Sequence, residues 1–385
     1  MERVEKIRPL KIVHFHHNDK NNLNIGDQAH VLAIQEALTP RSKRPVQFIE
    51  KSIQLLGRQV IPNKFYYPKS KYYPTVFHNV YRMLIGDGFY KVLQECNDAD
   101  LVIIGGGGVY MGYLFPLNNS FIRKITTPIS IVGVGYNHNL GSPDFSERQL
   151  ESVRTISSQA TLQSVRDSRT VDFLKEQGIE AELMCDPAIF LSERDTGLVT
   201  RREGTVNVGV NIARHGWNNQ DKLKDALVDA YYEAIRRIGS AQKARFYYMM
   251  HQPNERYYVD ALRQRGVEFA GVINVSDARE LKGAYANLDF TISMMLHSTI
   301  LAFGAGVPSI NVGYDDKNIA FMRMTGQAHR YVGVDALSSR KLNKIIDDTL
   351  ARLPAEKKNL EKYKMEFSGR FDDYMQRTLA LVTDR

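Results

Sequence analysis

Short apolar runs alternate with amphipathic stretches along the first half of this chain, and this alternation restricts the possible fold more than any other feature. The runs are rich in β-branched and aromatic residues, as buried strands are. They occupy residues 11–16, 46–50, 100–105, 130–135 and 162–165. The amphipathic stretches between them include 27–38 and 168–178. Because strands that alternate with helices form parallel sheets through crossover connections, we predict an α/β fold for this half.

The same alternation restarts after a polar stretch at 192–205. Strand-like runs then recur at 206–212, 245–250, 267–271, 289–292 and 308–312. Segments 337–351 and 354–383 are rich in Leu, Lys and Glu and predict closing helices, the last of which packs back against the first half. We therefore predict two Rossmann-like α/β domains, at 1–195 and 206–336, with closing helices over 337–385. Open α/β sheets bind ligands beyond the carboxyl ends of their strands, so we expect the site in a cleft between the domains.

Composition excludes several classes of protein. With 385 residues, of which 43% are hydrophobic, the chain can bury sizeable cores and is too apolar to be disordered. Its two cysteines, Cys96 and Cys185, exclude a disulfide framework and argue against a cysteine-rich zinc site, so we predict no metal and no cofactor. No run approaches the roughly 18 apolar residues that span a bilayer, and the first residues lack the features of a signal peptide. A cytoplasmic location is therefore expected.

The chain is basic, with a formal net charge of +8. Such a field attracts phosphates, nucleotides or an anionic membrane surface, but no recognised nucleic-acid motif accompanies it, so nucleic acid is not an expected partner. Residues 56–93 interrupt the alternation and contain an aromatic and basic stretch with two prolines, at 65–74, which predicts a surface insertion. The insertion suits sugar stacking or peripheral association with the inner face of a membrane. An aromatic cluster that covers its own domain is the alternative.

A polar turn follows the first predicted strand. Asn24, Gly26 and Asp27 lie there, just before the predicted helix 27–38. Asn24 or Asp27 can cap that helix, and the exposed N–H groups at its start favour an anion. A capped turn without a ligand is the alternative interpretation.

The strand 100–105 runs into a row of four glycines at 105–108, and Gly106 and Gly107 lie at the centre of this row. Glycine lets a ligand approach the backbone closely. A dinucleotide-binding fold needs an acidic residue about twenty positions further on, where this chain reads RKITTP. A phosphate loop needs Gly-Lys-Ser or Gly-Lys-Thr, where Val109 and Tyr110 stand instead. Both a nicotinamide cofactor and nucleotide hydrolysis are therefore disfavoured.

Polar residues also end two further predicted strands. Arg166 follows the strand 162–165, next to a helix start, where a guanidinium suits a bidentate contact with carboxylate or phosphate. An ion pair with Asp167 or another acid is the alternative. The strand 130–135 is followed by three polar residues that can point into the cleft: Tyr136, Asn137 and His138.

A histidine lies where the chain passes from the strand 289–292 into the next helix. His297 and Ser298 open that helix, so His297 sits beside free backbone N–H groups. It is a candidate to hold or protonate an anionic ligand. A histidine with a purely structural role is the alternative.

Four segments together resemble the polysaccharide pyruvyl transferase family. They are NIGDQA from Asn24, the glycine row, SVRDSRTVDFLKEQG followed by CDPAIFL at 185–191, and LHSTILAFGAGVPSINVGYDDKN from Leu296. Their order and spacing match across most of residues 10–320. The resemblance implies a two-domain fold like that of the GT-B glycosyltransferases. It also implies transfer of pyruvate from phosphoenolpyruvate, as a ketal, to a pair of sugar hydroxyls in a cell-surface polysaccharide or its lipid-linked precursor.

The same resemblance assigns roles to individual residues. Arg166 is assigned to the phosphate or carboxylate of the donor, and His297 to donor binding and proton transfer. His138 is a further candidate acid or base, and Asp27 is expected to orient the acceptor hydroxyl or brace the cleft. Lys317 is expected to close on the donor from the far side. The other expected contact residues are Asn24, Gly26, Gly106, Gly107, Tyr136, Asn137, Arg214 and Ser298.

One position departs from the family pattern. The family usually carries an arginine two residues before the histidine, where this chain has Met295. A charged hydrogen bond is worth roughly 1.5–3 kcal/mol, so its loss weakens a carboxylate clamp by tenfold or more unless Arg214, Arg279 or Arg323 replaces it. Two alternatives therefore stay open. One is a GT-B-type glycosyltransferase that uses a sugar nucleotide, and the other is a non-catalytic glycan-binding subunit.

Overall fold

Two six-stranded parallel sheets form the framework of the protein in a computed structural model, which describes residues 8–17, 24–56, 86–112, 117–137, 144–212 and 220–383. Every strand pair in both sheets is parallel. Parallel neighbours require crossover connections, and helices supply them here. The predicted α/β class with two Rossmann-like sheets is therefore confirmed.

The first half of the chain contains eight strands among its described residues. They are β1 (Leu10–His16), β2 (Val46–Ser52), β3 (Leu101–Gly105), β4 (Tyr110–Met111), β5 (Ile129–Val134), β6 (Tyr136–Asn137), β7 (Leu162–Val165) and β8 (Glu182–Leu183). All except β4 and β6 form one sheet, in the order β2-β1-β3-β5-β7-β8. The helices are α1 (Ile25–Leu38), α2 (Gly86–Asn97), α3 (Asn119–Ile122), α4 (Glu147–Gln159) and α5 (Ser168–Glu176).

The second half repeats this design. Its strands are β9 (Val206–Asn211), β10 (Ala244–Met249), β11 (Gly271–Ile273), β12 (Phe290–Ser293), β13 (Ser309–Gly313) and β14 (Tyr331–Gly333), in the order β11-β10-β9-β12-β13-β14. Its helices are α6 (Gln220–Ala241), α7 (Arg256–Gln264), α8 (Ala278–Ala286), α9 (Leu296–Gly304) and α10 (Asp316–Met324). Two closing helices follow, α11 (Ser339–Ala351) and α12 (Leu353–Thr383). We call the two sheet-containing halves the first and the second lobe.

Local sequence signals account for the element boundaries near the site. All five residues of β3 are buried, as expected for an apolar run in the interior of a parallel sheet. Asn24 is the residue that caps α1, because its Oδ1 atom accepts a hydrogen bond of 3.0 Å from the backbone N–H of Gly26. Asp167 caps α5 in the same way through the N–H of Thr170, at 2.9 Å.

The strand order reverses direction at one point in each sheet. In the first lobe β2 lies on one side of β1 and β3 on the other, and in the second lobe β10 and β12 flank β9. Ligands of open α/β sheets bind beyond the carboxyl ends of the strands at such points. The chain leaves β3 into Gly106 and Gly107 and leaves β12 through Met294 and Met295 into α9. The topology thus predicts a ligand site near these two connections.

The last helix packs against both lobes. The hydroxyl of Tyr374 donates a 2.7 Å hydrogen bond to the carbonyl of Ile131 in β5. The ring of Phe371 stacks on Phe190, with 4.9 Å between centroids. Phe371 belongs to a hydrophobic cluster that includes Ile103 of the first sheet and Tyr247 of the second. Because one core has members from both sheets, the lobes are packed against each other.

Some sequence-based boundaries were wrong. The strand predicted at 267–271 begins only at Gly271, because the N–H of Val267 still bonds to the carbonyl of Leu262 at the end of α7. The short strands β4 and β6, which form a separate pair, were not predicted. Of the predicted insertion 56–93, the structure describes residue 56 and 86–93, the latter as the start of α2, and residues 57–85 lie outside its described part.

No helix in the described ranges is both long enough and apolar enough to cross a bilayer.

We predict that Phe371→Ala destabilises the protein by about 3–5 kcal/mol, the usual cost of truncating a buried phenylalanine. Phe371 is 3% exposed in the shared core, whereas Met365 on the same helix is 72% exposed. Met365→Ala is therefore the control and should change the free energy of unfolding by no more than about 0.5 kcal/mol. Urea unfolding measures both. Equal effects of the two changes would contradict the packing of α12.

We also predict that stability falls as the pH drops below about 6.5. Burial lowers the pKa of His14 well below its usual value and the pKa of His251 to about 3, so the unfolded chain binds more protons than the folded protein in this range. Neither ring nitrogen of His14 has a hydrogen-bond partner in the described structure. His14→Leu should therefore reduce the pH slope of the unfolding free energy by up to about 1.4 kcal/mol per pH unit. Urea titrations between pH 5 and 7 test this, and an unchanged slope would refute it.

Candidate active site

Four buried side chains form one connected group where the lobes meet. Arg166 lies directly after β7, and its NH1 atom is 3.2 Å from Oδ2 of Asp186 and 3.5 Å from Nε2 of His30. The same Nε2 atom of His30 is 2.9 Å from Nε2 of His297, which lies in the first turn of α9 in the second lobe. The four residues are between 0% and 8% exposed. Arg166 and His297 are thus brought together through His30.

The close packing of α1 against α9 depends on Gly26. A Cβ atom at this position would lie 2.2 Å from Cγ and Nδ1 of His297, far inside contact distance. A glycine therefore lets the start of α1 approach the imidazole directly. The Cγ–Nδ1 side of the ring faces this glycine, whereas the Nε2 atom contacts His30.

The glycine row lies beside the same group. Gly106 and Gly107 have φ angles of 100° and 89°, which L side chains rarely adopt. A Cβ atom on Gly107 would lie 3.0 Å from Oδ1 of Asp27, and one on Gly106 would lie 3.8 Å from Cβ of His30. Asp27 is therefore a neighbour of the glycine row. The predicted residues at the start of α1 thus lie next to those that follow β3.

Lys317 approaches from the second lobe. It is the second residue of α10, and its Nζ atom is 3.4 Å from Oδ2 of Asp315 and 3.5 Å from Oδ1 of Asn137 in the first lobe. Burial lowers the pKa of Lys317, and the positive charge of Arg166 lowers it further. The two cations therefore lie within each other's field, one from each lobe.

Arg166 keeps a donor group available. It pairs with Asp186 through NH1, and Asp167 is 3.7 Å from its Nε atom. That Nε atom is buried and makes no hydrogen bond with any residue in the described part of the chain. The ion pairs considered as the alternative do exist, but they leave this buried N–H group without an acceptor among the described residues.

Both imidazoles of the group are neutral at pH 7. Burial lowers the pKa of His297 well below its usual value, and His30 lowers it further. Burial likewise lowers the pKa of His30, with a further contribution from the Arg166 charge. In the free protein, then, His297 carries no positive charge of its own with which to hold an anion, and its role in donor binding stays a prediction. The positive charge at the site belongs to Arg166 and Lys317.

Several residues predicted to contact substrate form hydrogen bonds or ring contacts with other residues of the protein. Asn24 caps α1, and the Ser298 hydroxyl donates to Ser293 at 2.8 Å and shares a 2.6 Å hydrogen bond with Tyr285. Ser298 is fully buried and its hydroxyl bonds support the start of α9, so its contact with a ligand stays a prediction. The ring of Tyr136 is stacked on Phe173, with 4.0 Å between centroids, and the Arg169 guanidinium lies 5.4 Å from its centroid. Tyr136 thus packs within the first lobe, and its contact with substrate stays a prediction.

Other predicted residues lie elsewhere. His138 and Arg214 are outside the described residues, and their roles stay predictions. The Met295 side chain packs into the hydrophobic core of the second lobe, while its N–H donates to Oδ1 of Asn211 at 3.0 Å. Arg279 pairs with Asp277 at 2.8 Å and lies 3.6 Å from Glu36, so it does not replace the missing arginine. Arg323 lies in the last turn of α10.

The structure also groups three residues whose side chains ligate metals in other proteins. One atom each from His30, Asp186 and His297 lie within 4.8 Å of one another. The Arg166 guanidinium, however, contacts both Asp186 and His30, and a positive charge at that position repels a cation. These residues therefore fit a hydrogen-bonded network better than a metal centre. That the protein has no metal stays a prediction.

The motifs in the sequence did not predict His30 or Asp186 as site residues. His30 lies one helical turn after Gly26 in α1, so it faces the same side of the helix. Asp186 belongs to the CDPAIFL segment and caps the short 3-10 helix Pro187–Phe190 through the N–H of Ala188. The local signal that could have suggested His30 is a histidine one turn beyond a capped, glycine-containing helix start, although this signal does not reveal its contact with His297.

We predict that Gly26→Ala destabilises the protein by about 1–3 kcal/mol, as overpacking of a tight contact does. The new methyl group must displace the His297 ring or the start of α1. Gly369→Ala in α12 is the control, since a Cβ there meets nothing within 4 Å, and alanine should stabilise that helix by about 1 kcal/mol. Urea unfolding gives both values. A stabilising Gly26→Ala would contradict the contact with His297.

The fold is similar to that of several solved UDP-sugar enzymes. The UDP-GlcNAc 2-epimerase of Neisseria meningitidis, solved with UDP-GlcNAc, is 12% identical and covers 97% of this chain and 100% of its own, with a TM-score of 0.57. A co-structure of S. aureus MnaA with UDP is 12% identical over 90% of each chain, with a TM-score of 0.54. The UDP-GlcNAc 2-epimerase of Methanocaldococcus jannaschii is 14% identical over 88% of this chain and 92% of its own, with a TM-score of 0.53. These likenesses show a GT-B-like fold.

The sequence itself matches one family. No curated protein sequence is similar enough to this chain to count as a match. The family model described as polysaccharide pyruvyl transferase matches residues 24–316. This range runs from the cap of α1 to the first residue of α10 and includes Arg166, Asp186 and His297. Because the match spans well over half of the 385 residues, the chain belongs to the polysaccharide pyruvyl transferase family and is a transferase.

Proposed function

We propose that this protein transfers pyruvate from phosphoenolpyruvate, as a ketal, to two hydroxyls of one sugar in a cell-surface polysaccharide or its lipid-linked precursor. The observation that carries the proposal is that Arg166 from the first lobe and Lys317 from the second lie within each other's electrostatic field, while Arg166 is linked through His30 to the neutral His297. Phosphoenolpyruvate offers a phosphate and a carboxylate to two cations. The reaction as proposed uses no metal ion and no cofactor.

The atom balance of this reaction suits a neutral histidine. The methylene carbon of phosphoenolpyruvate gains one proton, and the adjacent carbon forms bonds to two sugar oxygens while its bond to the phosphate oxygen breaks. Each sugar hydroxyl loses one proton, so one of these protons ends on carbon and the other on the departing phosphate. A group that is neutral at rest can accept the hydroxyl proton and pass it on. His297 meets this requirement because burial lowers its pKa.

The two cations would stabilise the donor and the leaving phosphate. The free Nε–H of Arg166 is suited to the carboxylate or phosphate, since a charge-assisted hydrogen bond is shorter and stronger than a neutral one. Lys317 would contact the donor from the other lobe. Asp27, beside Gly107, is proposed to orient the acceptor hydroxyl. His138 is retained as a further acid or base and Arg214 as a further cation, both as proposals that rest on the sequence.

The acceptor and the setting of the reaction are part of the same proposal. A phosphoenolpyruvate donor implies chemistry in the cytoplasm, and a lipid-linked acceptor implies chemistry close to the inner face of the membrane. The aromatic and basic residues at 65–74 are the segment proposed to contact that membrane face. The sugar acceptor is the one partner that the chemistry requires.

A glycosyltransferase that uses a sugar nucleotide is the second candidate. The observation that favours it is Met295, which lies in the apolar core of the second lobe where the family usually carries an arginine. Without that arginine the donor carboxylate has one contact fewer. The similarity to UDP-binding enzymes is compatible with a sugar nucleotide but does not select it, since the identities are 12–14%.

We predict that phosphoenolpyruvate raises the melting temperature of the wild-type protein and that Lys317→Met weakens its binding about 10- to 100-fold, the equivalent of one charged hydrogen bond. Lys341→Met, at an exposed position in α11, is the matched control and should bind as the wild type does. Thermal-shift titration gives the affinities, because a ligand that binds the folded state raises apparent stability. In a separate turnover assay, release of phosphate from phosphoenolpyruvate should require a glycan acceptor.

The competing outcomes are distinct. Stabilisation by a sugar nucleotide but not by phosphoenolpyruvate, with turnover of the sugar nucleotide, would replace the proposal by the glycosyltransferase. Binding of a glycan with turnover of neither donor would favour the non-catalytic subunit. Equal binding of phosphoenolpyruvate by the two lysine variants would remove Lys317 from the site.

A further inference from the structure

His30 is buried in the middle of α1 with its ring perpendicular to that of His297. The rings are 5.0 Å apart at an angle of 86°, and their Nε2 atoms are 2.9 Å apart. Both rings are neutral, so each carries one ring proton. A contact this short between two ring nitrogens requires exactly one proton between them. The question is therefore which of the two histidines donates it.

Two neighbours decide the position of the His30 proton. The carboxylate oxygen Oδ1 of Asp186 lies 3.3 Å from Nδ1 of His30. Their alignment does not make a regular hydrogen bond, but the negative charge still favours a proton on that nitrogen. On the other side, NH1 of Arg166 lies 3.5 Å from Nε2 of His30, and a guanidinium can only donate. Both contacts leave Nε2 of His30 as an acceptor.

His297 must then be the donor in the contact with His30. Its Nε2 atom carries the proton, and its Nδ1 atom keeps a free lone pair. Gly26 lies against the Cγ–Nδ1 side of the ring. Because residue 26 is a glycine, it places no side chain against Nδ1. The opposite tautomer would place two lone pairs face to face at 2.9 Å.

We propose that His30 is a positioning residue that holds His297 in the Nε2–H tautomer, so that Nδ1 of His297 is the atom that accepts the acceptor hydroxyl's proton. The assignment of the proton-accepting atom rests on the proposed transferase function, while the tautomer rests on the contacts alone. Asp186 and Arg166 act on His297 through His30. The arrangement resembles the way a carboxylate fixes the tautomer of a catalytic histidine in hydrolases, with a second imidazole placed between them.

Two substitutions of His30 separate this role from simple packing. In His30→Gln the amide oxygen can replace Nε2 as the acceptor, whereas His30→Leu fills similar space and accepts nothing. We expect kcat for pyruvyl transfer to fall roughly 100-fold in His30→Leu, the scale of general acid–base catalysis, and to recover to within about tenfold of the wild type in His30→Gln. KM for phosphoenolpyruvate should change about twofold or less, because His30 does not contact the donor. Equal kcat values for the two variants would overturn the positioning role.

The direct test is the tautomer of His297 in the free protein. Nitrogen-15 NMR of histidine-labelled protein, with His297→Gln used to assign its signals, distinguishes a protonated ring nitrogen from an unprotonated one. We expect Nε2 to be protonated and Nδ1 unprotonated in the wild type, and a mixture of tautomers in His30→Leu. A wild-type His297 protonated at Nδ1 would overturn the proposal, and so would two unprotonated Nε2 atoms bound to a metal ion.

The turnover and NMR measurements test the proposed reaction and the positioning role of His30 separately. If phosphoenolpyruvate is not turned over but His297 has the expected tautomer, the proposed reaction fails and the positioning by His30 stands. If pyruvyl transfer is observed but the tautomer is the opposite one, the reaction stands and the positioning fails. Should His30→Leu not fold, the wild-type spectrum alone decides the tautomer.

Discussion

The contact between two neutral imidazoles is the interaction on which the site depends. His30 belongs to the first lobe and His297 to the second, and their Nε2 atoms are 2.9 Å apart with both side chains buried. Burial keeps both rings uncharged, so they can lie this close without repulsion. Arg166 and Asp186 extend the contact into the first lobe. The lobes thus meet through buried polar side chains as well as through apolar packing.

Helix α1 is the element that makes this meeting possible. Its cap Asn24 and its Gly26 set the close approach to α9. One turn into the helix, the Gln28 amide accepts a 2.6 Å hydrogen bond from the N–H of Ala278 and donates a 3.0 Å bond to the carbonyl of Ser276, both in the second lobe. The helix is therefore held by the second lobe at the same end that carries the site. This geometry favours a site assembled before the ligand arrives.

Much of the fold could be predicted from the sequence, because buried parallel strands and amphipathic helices leave strong periodic signals. The strand 162–165 was placed exactly where the structure has β7. The strand predicted at 267–271 was placed too early, because residues 267–269 follow a helix end before the chain pairs with β10, and composition does not distinguish the two cases. His30 was missed for a different reason. Its partner His297 is 267 positions away, and no local pattern records such a contact.

The central claim is that the two lobes hold one small anionic donor between Arg166 and Lys317, next to His297. A crystal structure of the protein soaked with phosphoenolpyruvate tests it most directly. The account predicts electron density for the ligand in contact with Nε of Arg166 and Nζ of Lys317, with its reacting carbons beside Nδ1 of His297. Density for phosphoenolpyruvate at any other place, with Arg166 and Lys317 left bound only to their carboxylate partners, would contradict it.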